Sequence, residues 1–422
     1  MTGSARREIV VLGMMSTIPV AGVVWQTIHY LVGFQRLGFD AYYVEAHGRT
    51  AGTLMHDPAD DGGALAAGFV AETLARFGLA DRWAYHALHD GGRVYGLSEG
   101  ELRRLYGSAE VIVNLHGGTE PLPEHYETGR LVYVETDPVQ LQVELYEERQ
   151  STLDFLEPHV GFFTFGENYG RLGCGLPVSD RFTFQPTRQP VVTDFWLGGG
   201  GDSGAYTTVG NWRQSWHDVV YAGERYGWSK DREFRRFLAL PLLTGQSFEL
   251  ALSSHAPQDR ELLERRGWQV RPALDLSVDG DAYRDYVRRS RAEFTVAKDQ
   301  NVRLRTGWFS DRSATYLAAG RPVVTQDTGF GSFLPTGEAL FPFASLDDAV
   351  AAVEAIEADY PKARRAAFEL ARQHFDAAVV LGRLLETLGV TLPARRAMRN
   401  LVPVWRPPSS LPTLASCERA RA

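Results

Sequence analysis

Residues 293–326 read EFTVAKDQNVRLRTGWFSDRSATYLAAGRPVVTQ, and this stretch decides the fold class. It predicts a strand, a helix and a second strand in succession, over Glu293–Ala297, Asp311–Ala319 and Pro322–Thr325. Gly320 is a suitable residue to end the helix. Apolar strands joined by a helix are typical of a parallel sheet that is covered on both faces. The stretch therefore predicts an α/β fold.

The same alternation extends in both directions along the chain. Further strands are predicted in the second half at Tyr206–Val209, Phe248–Leu252, Trp268–Val270 and Ala339–Phe341. In the first half they are predicted at Ile9–Gly13, Phe39–Val44, Glu110–Asn114, Leu131–Val134 and Gly161–Phe165. Four consecutive glycines at 198–201 interrupt this pattern and are typical of a linker. We predict two α/β domains, at 1–190 and 206–390, joined by a glycine-rich linker at 191–205 and followed by a tail at 391–422.

Composition excludes several classes of protein. Of 422 residues, 44% are apolar and 23% charged, as in soluble globular chains, so a rod, a collagen-like repeat and a long disordered protein are excluded. The 44 Lys and Arg residues against 52 Asp and Glu give a net charge of −8. No overall positive field therefore attracts nucleic acid or an anionic membrane. We expect any bound phosphate to be held by a local site.

Cysteine usage and the start of the chain predict a cytoplasmic protein. Cys174 and Cys417 are far apart and have no metal-ligand spacing, as expected in a reducing compartment. Arg6-Arg7 and the apolar run from Ile9 to Trp25 resemble a secretory signal, but Glu8 interrupts the basic region and Pro19 splits the run. No uncharged stretch reaches the roughly 18 apolar residues that a membrane span needs.

Polar and glycine-containing loops follow the predicted strands of the second domain. Ser310 stands at the expected N-cap, with Asp311, Arg312 and Ser313 in the first helical turn, so free N–H groups there favour an anion. The loop Gly329-Phe330-Gly331 lets the backbone approach a bulky ligand. A simple cap and a simple turn are the alternative interpretations.

Residues 307–324, together with Gly329-Phe330-Gly331 and Gly337-Glu338, resemble the donor-binding core of the GT-B glycosyltransferases of group 1, or family 4-like. In those enzymes a helix ends in a small residue, Gly, any residue, then Pro-Val-Val. The resemblance implies two Rossmann-like domains that face each other across a cleft, the first for the acceptor and the second for the nucleotide-sugar donor. Many retaining members carry two glutamates across this helix, whereas Gly307 and Thr315 stand here. Thr315, Ser313 or Asp311 would then replace the ribose carboxylate.

The departing diphosphate of such a donor needs fixed cations, because negative charge grows on it in the transition state. The resemblance places an arginine after the first strand of the second domain, where Asn211 and Arg213 stand. Lys298 follows a later strand at the same edge, and Arg312 is a third candidate. An unpartnered surface charge is the alternative for Arg213 and Lys298.

Two histidines in the first domain are candidates for the reaction centre. His116 ends a strand and precedes two glycines, as in retaining GT-B enzymes, where such a histidine touches the transferred sugar. Its ordinary pKa would also suit a general base. His47, with Glu45 as a possible orienting carboxylate, is the rival. A structural histidine is the alternative for each.

Other polar and aromatic groups have competing interpretations. The carboxylates of Glu135-Thr136-Asp137 and of Glu167-Asn168 bind acceptor hydroxyls or cap helices. Asp279-Gly280-Asp281 has a metal-binding spacing, but capping of the next helix explains it, and no metal is predicted. Trp212 and Trp216 line an acceptor pocket or belong to the core.

The sequence therefore predicts a metal-independent, cytoplasmic hexosyltransferase (EC 2.4) that uses a nucleotide-diphosphate sugar and no further cofactor. Its acceptor would be a glycan or a small molecule, such as a natural product, with neither nucleic acid nor a membrane span involved. A nucleotide-sugar 2-epimerase and a non-catalytic nucleotide-sugar-binding protein are the alternatives.

Overall fold

A computed structural model describes residues 7–50, 52–198, 203–214 and 217–393. The strands are β1 (Glu8–Leu12), β2 (Asp40–His47), β3 (Trp83–Ala87), β4 (Arg93–Gly96), β5 (Val111–Leu115), β6 (Leu131–Glu135), β7 (Gly161–Thr164), β8 (Phe184–Pro186), β9 (Ala205–Asn211), β10 (Val219–Tyr221), β11 (Glu224–Tyr226), β12 (Ser247–Ser253), β13 (Trp268–Pro272), β14 (Ala292–Thr295), β15 (Val323–Gln326) and β16 (Leu340–Phe343).

The helices are α1 (Ala21–Arg36), α2 (Gly62–Ala75), α3 (Glu99–Ser108), α4 (Pro123–Tyr126), α5 (Gln140–Tyr146), α6 (Gln150–Leu156), α7 (Asp231–Arg235), α8 (Leu240–Thr244), α9 (Pro257–Arg265), α10 (Leu274–Ser277), α11 (Gly280–Arg289), α12 (Asp299–Arg303), α13 (Asp311–Ala318), α14 (Leu346–Ala358), α15 (Tyr360–His374) and α16 (Ala377–Thr387). Among the described residues, no helix is long and apolar enough to cross a membrane.

The chain forms two compact units. The first contains residues up to Thr136, the segment Leu153–Phe163 and the residues from Val380 onward. The second contains Asp137–Thr152 and Thr164–Val379. Each unit has its own largely parallel sheet, which confirms the predicted α/β class with two Rossmann-like domains.

The first unit is built on strands in the order β4-β3-β2-β1-β5-β6-β7. Its central strands β1, β5 and β6 are mostly apolar, with one polar residue each, and are buried throughout because both faces of the sheet are covered. Leu12 lies opposite Val44 and Asn114 in the parallel ladders. The loops after β1, β2 and β5 therefore emerge at one edge of this sheet.

The second unit contains six strands in the order β13-β12-β9-β14-β15-β16, and every pair among them is parallel. Its core is aromatic: Phe294 on β14 stacks on Phe343 with ring centroids 5.2 Å apart. The winding reverses between the adjacent strands β9 and β14. In sheets of this kind ligands bind outside the carboxyl ends of the strands at that reversal. The loops after β9 and β14 therefore define the candidate ligand site.

All six strands predicted in the second half are present within three residues of their predicted ends. Between β11 and β12 the chain forms two short helices, α7 and α8, rather than one continuous helix. Pro241 in the first turn of α8 has no backbone N–H and cannot continue the preceding helix. The short hairpin β10–β11 lies outside the sheets and was not predicted.

The division of the chain differs from the predicted boundary at 190. Residues from Thr164 onward pack within the second unit because loops near the carboxyl edge of its sheet bind them. The backbone N–H of Asn168, for example, donates to the Thr306 carbonyl at 3.0 Å. Residues from Val380 belong with the first unit. Of the predicted glycine linker, residues 199–202 lie outside the described part of the chain, as do residues 394–422 of the predicted tail.

Candidate functional site

Lys298 lies at the carboxyl end of β14, at the N-cap of α12, and its side chain is 11% exposed. Its Nζ is 2.6 Å from Oδ2 of Asp137 and 3.0 Å from the ring centroid of Trp228. Burial lowers the pKa of Lys298, and the Asp137 carboxylate opposes that shift. Lys298 thus follows β14 at the carboxyl edge of the sheet, as predicted, but its ammonium already has an anionic neighbour.

Lys230 is a second cation at this place, and our sequence analysis missed it. Its neighbours anchor it to the end of β9: Ser229 Oγ and the Asp231 N–H both donate to the Trp212 carbonyl, at 3.2 and 3.0 Å. Within the described residues its ammonium has no ion pair. Because the hairpin β10–β11 separates Lys230 from β9 along the chain, no local pattern reveals this proximity.

The charge on Lys230 is held in an electropositive environment. Burial, together with the charges of Arg312 and Lys298, lowers its pKa to about 7, whereas Glu293 and Asp311 act in the opposite direction. An anion beside these groups would satisfy Lys230 and offset the repulsion. Near pH 7 Lys230 is therefore partly protonated in the free protein, and a bound anion would favour its charged form.

Arg312, the third predicted cation, is engaged within the unit through all three of its side-chain nitrogens. Its Nε is 2.6 Å from Oε1 of the buried Glu293, its Nη1 donates to the Val209 carbonyl at 2.7 Å, and its Nη2 donates to Thr295 Oγ1 at 2.9 Å. These bonds use three of the five N–H donors of the guanidinium. They tie β9 and β14 to the start of α13, where the guanidinium contributes positive charge to the site.

Arg213 follows β9 as predicted, but carboxylates hold it. Its Nη2 donates to Oδ1 of Asp259 at 2.9 Å, and the same oxygen accepts from Arg235 at 2.5 Å. The Arg213 side chain is half-exposed. Asn211 accepts a hydrogen bond from the hydroxyl of Ser253 at the end of the neighbouring strand. Both residues lie at the carboxyl edge.

The N-terminus of α13 lies at the predicted residue, but its capping differs from the prediction. Ser310 is the N-cap residue, yet its side chain makes no capping bond. The Asp311 carboxylate instead accepts from the backbone of its own turn, and burial raises the pKa of Asp311. Thr315 Oγ1 donates to the Arg312 carbonyl at 2.7 Å, whereas Ser313 Oγ is buried without a partner. Ser313 therefore keeps a free hydroxyl beside the helix start.

The glycines of the nearby loops accommodate Asn168. A Cβ on Gly329, whose φ is +91°, would lie 2.6 Å from Asn168 Nδ2, and a Cβ on Gly307, at φ +77°, would lie 2.8 Å from its backbone nitrogen. Asn168 Nδ2 donates to the carbonyl of Gly329 at 3.0 Å and to that of Arg305 at 3.2 Å. The expectation that Gly329 leaves room for a ligand is therefore wrong, because a side chain of the protein fills that room.

The rest of this loop divides between core and open space. Phe330 is buried, edge-on to Phe309 with ring centroids 5.5 Å apart, so it is a core residue. A Cβ on Gly331 would meet only ordinary contact at 3.8 Å, so the backbone there remains approachable. Glu167 and Asn168, predicted as possible ligands of acceptor hydroxyls, instead bind groups of the protein. Arg188 binds the Glu167 carboxylate at 2.5 Å, and the Asn168 side-chain oxygen accepts from the Ser332 hydroxyl.

In the first unit, Glu45 lies at the centre of a buried network at the end of β2. Its Oε1 accepts from the Ser16 N–H at 2.9 Å and from the Tyr43 hydroxyl at 2.6 Å. Its Oε2 is 2.9 Å from His47 Nε2. The contact between Glu45 and His47 that the sequence suggested is therefore present, and the orienting role of Glu45 stays a prediction.

His116 follows β5 with a backbone φ of +66°, in the left-handed region that non-glycine residues rarely adopt. Its Nδ1 is 3.0 Å from Thr136 Oγ1, and its Nε2 is buried without a partner. Burial lowers the pKa of His116 to about 4. The expectation of a general base with an ordinary pKa is therefore wrong: the ring is neutral near pH 7 and offers one unused nitrogen.

The predictions for Asp279, for a metal ion and for two tryptophans have the following outcomes. Asp279 caps α11 and accepts from the N–H groups of Asp281 and Ala282, which confirms the capping interpretation. No group of three His, Cys, Asp or Glu residues suited to a metal ion occurs within the described ranges. Trp212 is fully buried and stacks on Phe234, so it belongs to the core, and Trp216 lies outside the described residues.

Comparison with known proteins supports the same fold. The profile of a family described as glycosyl transferase-like matches residues 232–388. No curated protein sequence matches the chain significantly. Among solved structures, AviGT4, a glycosyltransferase involved in avilamycin A biosynthesis, has a TM-score of 0.51 and 12% identity over 90% of this chain and 96% of that one.

Two further solved structures are similar. HepE of Anabaena, in complex with UDP and glucose, has a TM-score of 0.50 and 11% identity over 91% of this chain and 100% of its own. The pneumococcal O-GlcNAc transferase GtfA, in complex with UDP and GlcNAc, has a TM-score of 0.50 and 9% identity over 92% of this chain and 99% of its own. Two Rossmann-like units with these likenesses define a protein of the GT-B fold. Within that class, the match over residues 232–388 confirms the resemblance to glycosyltransferases.

Proposed function

We propose that this protein is a hexosyltransferase that moves a sugar from a nucleotide-diphosphate sugar to a glycan or small-molecule acceptor. The observation that carries the proposal is the pair Lys230 and Lys298 at the reversal of the second sheet, on a GT-B fold. Ligands of such sheets bind at this place. The UDP complexes of HepE and GtfA support a nucleotide as the occupant.

The chemistry fits these groups. Cleavage of the donor's sugar–phosphate bond releases a nucleoside diphosphate whose negative charge grows in the transition state. Fixed cations at that position stabilise the transition state, and one such donor is worth roughly 3 kcal/mol of barrier. Lys230 and Lys298 would supply the charge, and Ser310, Ser313 and the start of α13 would contact phosphate or ribose. With two ammonium groups available, we propose that no metal ion is required.

His116 would lie at the transferred sugar. Its neutral ring and unused Nε2 suit a hydrogen bond to a sugar hydroxyl better than removal of a proton, because a base with a pKa of about 4 accepts protons poorly at pH 7. His47, held by Glu45, would be the residue that assists the acceptor hydroxyl. A cytoplasmic location, without nucleic acid as a partner, remains our prediction.

The test is nucleotide release from UDP-, TDP- and GDP-sugars, with and without a panel of acceptors. The proposal requires release that depends on an acceptor and a sugar-bearing product in mass spectrometry. Consumption of donor without acceptor, with an epimerised sugar, would support an epimerase instead. Binding without release would leave a nucleotide-sugar-binding protein.

The same assay on variants locates the site. Lys230→Ala and Lys298→Ala should each lower turnover, whereas Lys362→Ala, an exposed lysine of the same unit paired with Glu338, should not. If all three variants kept full activity, the cation pair would have no part in the reaction.

A further inference from the structure

The second unit holds one of its own carboxylates against Lys298. Asp137 Oδ2 is 2.6 Å from Nζ, and the face of Trp228 covers the ammonium at 3.0 Å from the ring centroid. Since the lysine side chain is 11% exposed, little of the ammonium remains for a further anion while Asp137 is in place. The carboxylate therefore occupies the position that a phosphate oxygen would need.

The Asp137 carboxylate is attached to the site chiefly through that ion pair. Its second oxygen, Oδ1, is buried and has no hydrogen-bond partner, although the side chain as a whole is about one third exposed. A carboxylate that was part of a permanent network would have both oxygens satisfied. Exchange of Asp137 for another anion would therefore break one strong interaction only.

The segment behind Asp137 is fixed, so the carboxylate stays close to the lysine when it is released. Helix α5 begins three residues later, and its Gln140 side chain bonds to His217 Nδ1. Val143 on the same helix packs with Val219 and Tyr226 in a buried cluster. Asp137 is thus presented to Lys298 at high effective concentration.

We propose that Asp137 is an internal counter-ion that the diphosphate of the donor must displace from Lys298. This inference rests on the proposed function. In the free protein the carboxylate keeps a buried ammonium paired, because an unpaired buried charge is costly. When a nucleoside diphosphate binds, its oxygens take over that pairing and Asp137 turns toward solvent, so Asp137 lowers the affinity for the donor.

The experiment is calorimetric titration of wild-type protein and Asp137→Asn with UDP and with uridine. Removal of the competing charge should lower the Kd for UDP about tenfold, which corresponds to about 1.4 kcal/mol. The Kd for uridine should not change, because uridine has no phosphate. Glu369→Gln, which removes a carboxylate from an exposed pair with Arg372, is the matched control and should bind UDP as wild type does.

Each outcome decides a different point. An unchanged or higher Kd for UDP in Asp137→Asn would show that Asp137 only positions Lys298, which overturns the inference alone. A lower Kd for uridine as well would overturn it too, because the effect would not act on phosphate. Failure of both proteins to bind UDP, TDP and GDP would overturn the proposed function.

A measurement on the wild type covers the case in which Asp137→Asn does not fold. Amide hydrogen exchange is recorded with and without saturating UDP. The inference predicts faster exchange at the N–H groups of Asp137 and Val139 when UDP is bound, because the ion pair no longer restrains this end of the segment. The N–H groups of α5, which other contacts anchor, should exchange as in the free protein. Slower exchange there, or no change, would contradict the displacement of Asp137.

Discussion

Lys230 is the residue whose substitution should affect donor binding most directly. It has no ion-pair partner among the described residues, so Lys230→Ala creates no new unpaired carboxylate and removes only attraction for an anion. We expect kcat/KM for the donor to fall about 100-fold, since one charged donor at a phosphate is worth roughly 3 kcal/mol. Steady-state kinetics measure this.

Arg213→Ala provides the comparison at the same edge. Its guanidinium is already shared between Asp259 and solvent, so its loss should cost less than the loss of Lys230. The resemblance to GT-B glycosyltransferases instead implies that Arg213 binds the diphosphate. A larger loss for Arg213→Ala than for Lys230→Ala would restore that prediction.

Buried histidines make the first unit sensitive to acid. Burial lowers the pKa of His116 and His159 to about 4 and that of His125 to about 3. Because the unfolded chain binds these protons near pH 6.5, the free energy of unfolding should fall as pH drops from 6.5 toward 4. Each histidine should lower the free energy of unfolding by up to about 3 kcal/mol at the acid end of this pH range. Thermal unfolding between pH 7 and pH 4 measures the effect.

A variant identifies the histidine contribution. His159→Gln should show a weaker loss of Tm over this pH range than wild type, because one protonation site is removed. Exposed His56→Gln is the control and should follow the wild-type curve. Parallel curves for all three proteins would contradict the assignment.

At the scale of elements, the loop after β15 is shaped by Asn168. Gly329→Ala places a Cβ 2.6 Å from Asn168 Nδ2 in a backbone conformation that alanine avoids, so we expect the free energy of unfolding to fall by about 1–3 kcal/mol. Gly331→Ala, two residues away and with open space, should change stability by less than about 0.5 kcal/mol. Chemical denaturation measures both. Equal effects would show that the loop rearranges around the new methyl group.

At the scale of the whole molecule, catalysis should not depend on a divalent cation. The protein carries a net charge of −8, yet two lysines of the second unit lie together at the reversal of the sheet. They would neutralise the leaving group in place of a metal ion. We expect turnover to be unchanged by excess EDTA and by later addition of Mg²⁺ or Mn²⁺. Loss of activity with EDTA and recovery with one metal would refute this expectation.

The sequence by itself determined the fold class and the order of the second sheet's elements. Two short buried strands, β14 and β15, with the amphipathic helix α13 between them form a local pattern that is typical of a parallel α/β sheet. It also predicted the capping role of Asp279 and the pairing of Glu45 with His47, because each depends on residues only two or three positions apart.

Only the tertiary structure decided which charges are available. Arg312 and Arg213 read as phosphate ligands in the sequence, but Glu293 and Asp259, from distant parts of the chain, already engage them. Lys230 lies at the candidate site because an intervening hairpin returns the chain to the end of β9. The pKa of His116 likewise depends on burial. Ion pairing and desolvation depend on residues that are far apart in sequence, so local sequence patterns do not predict them.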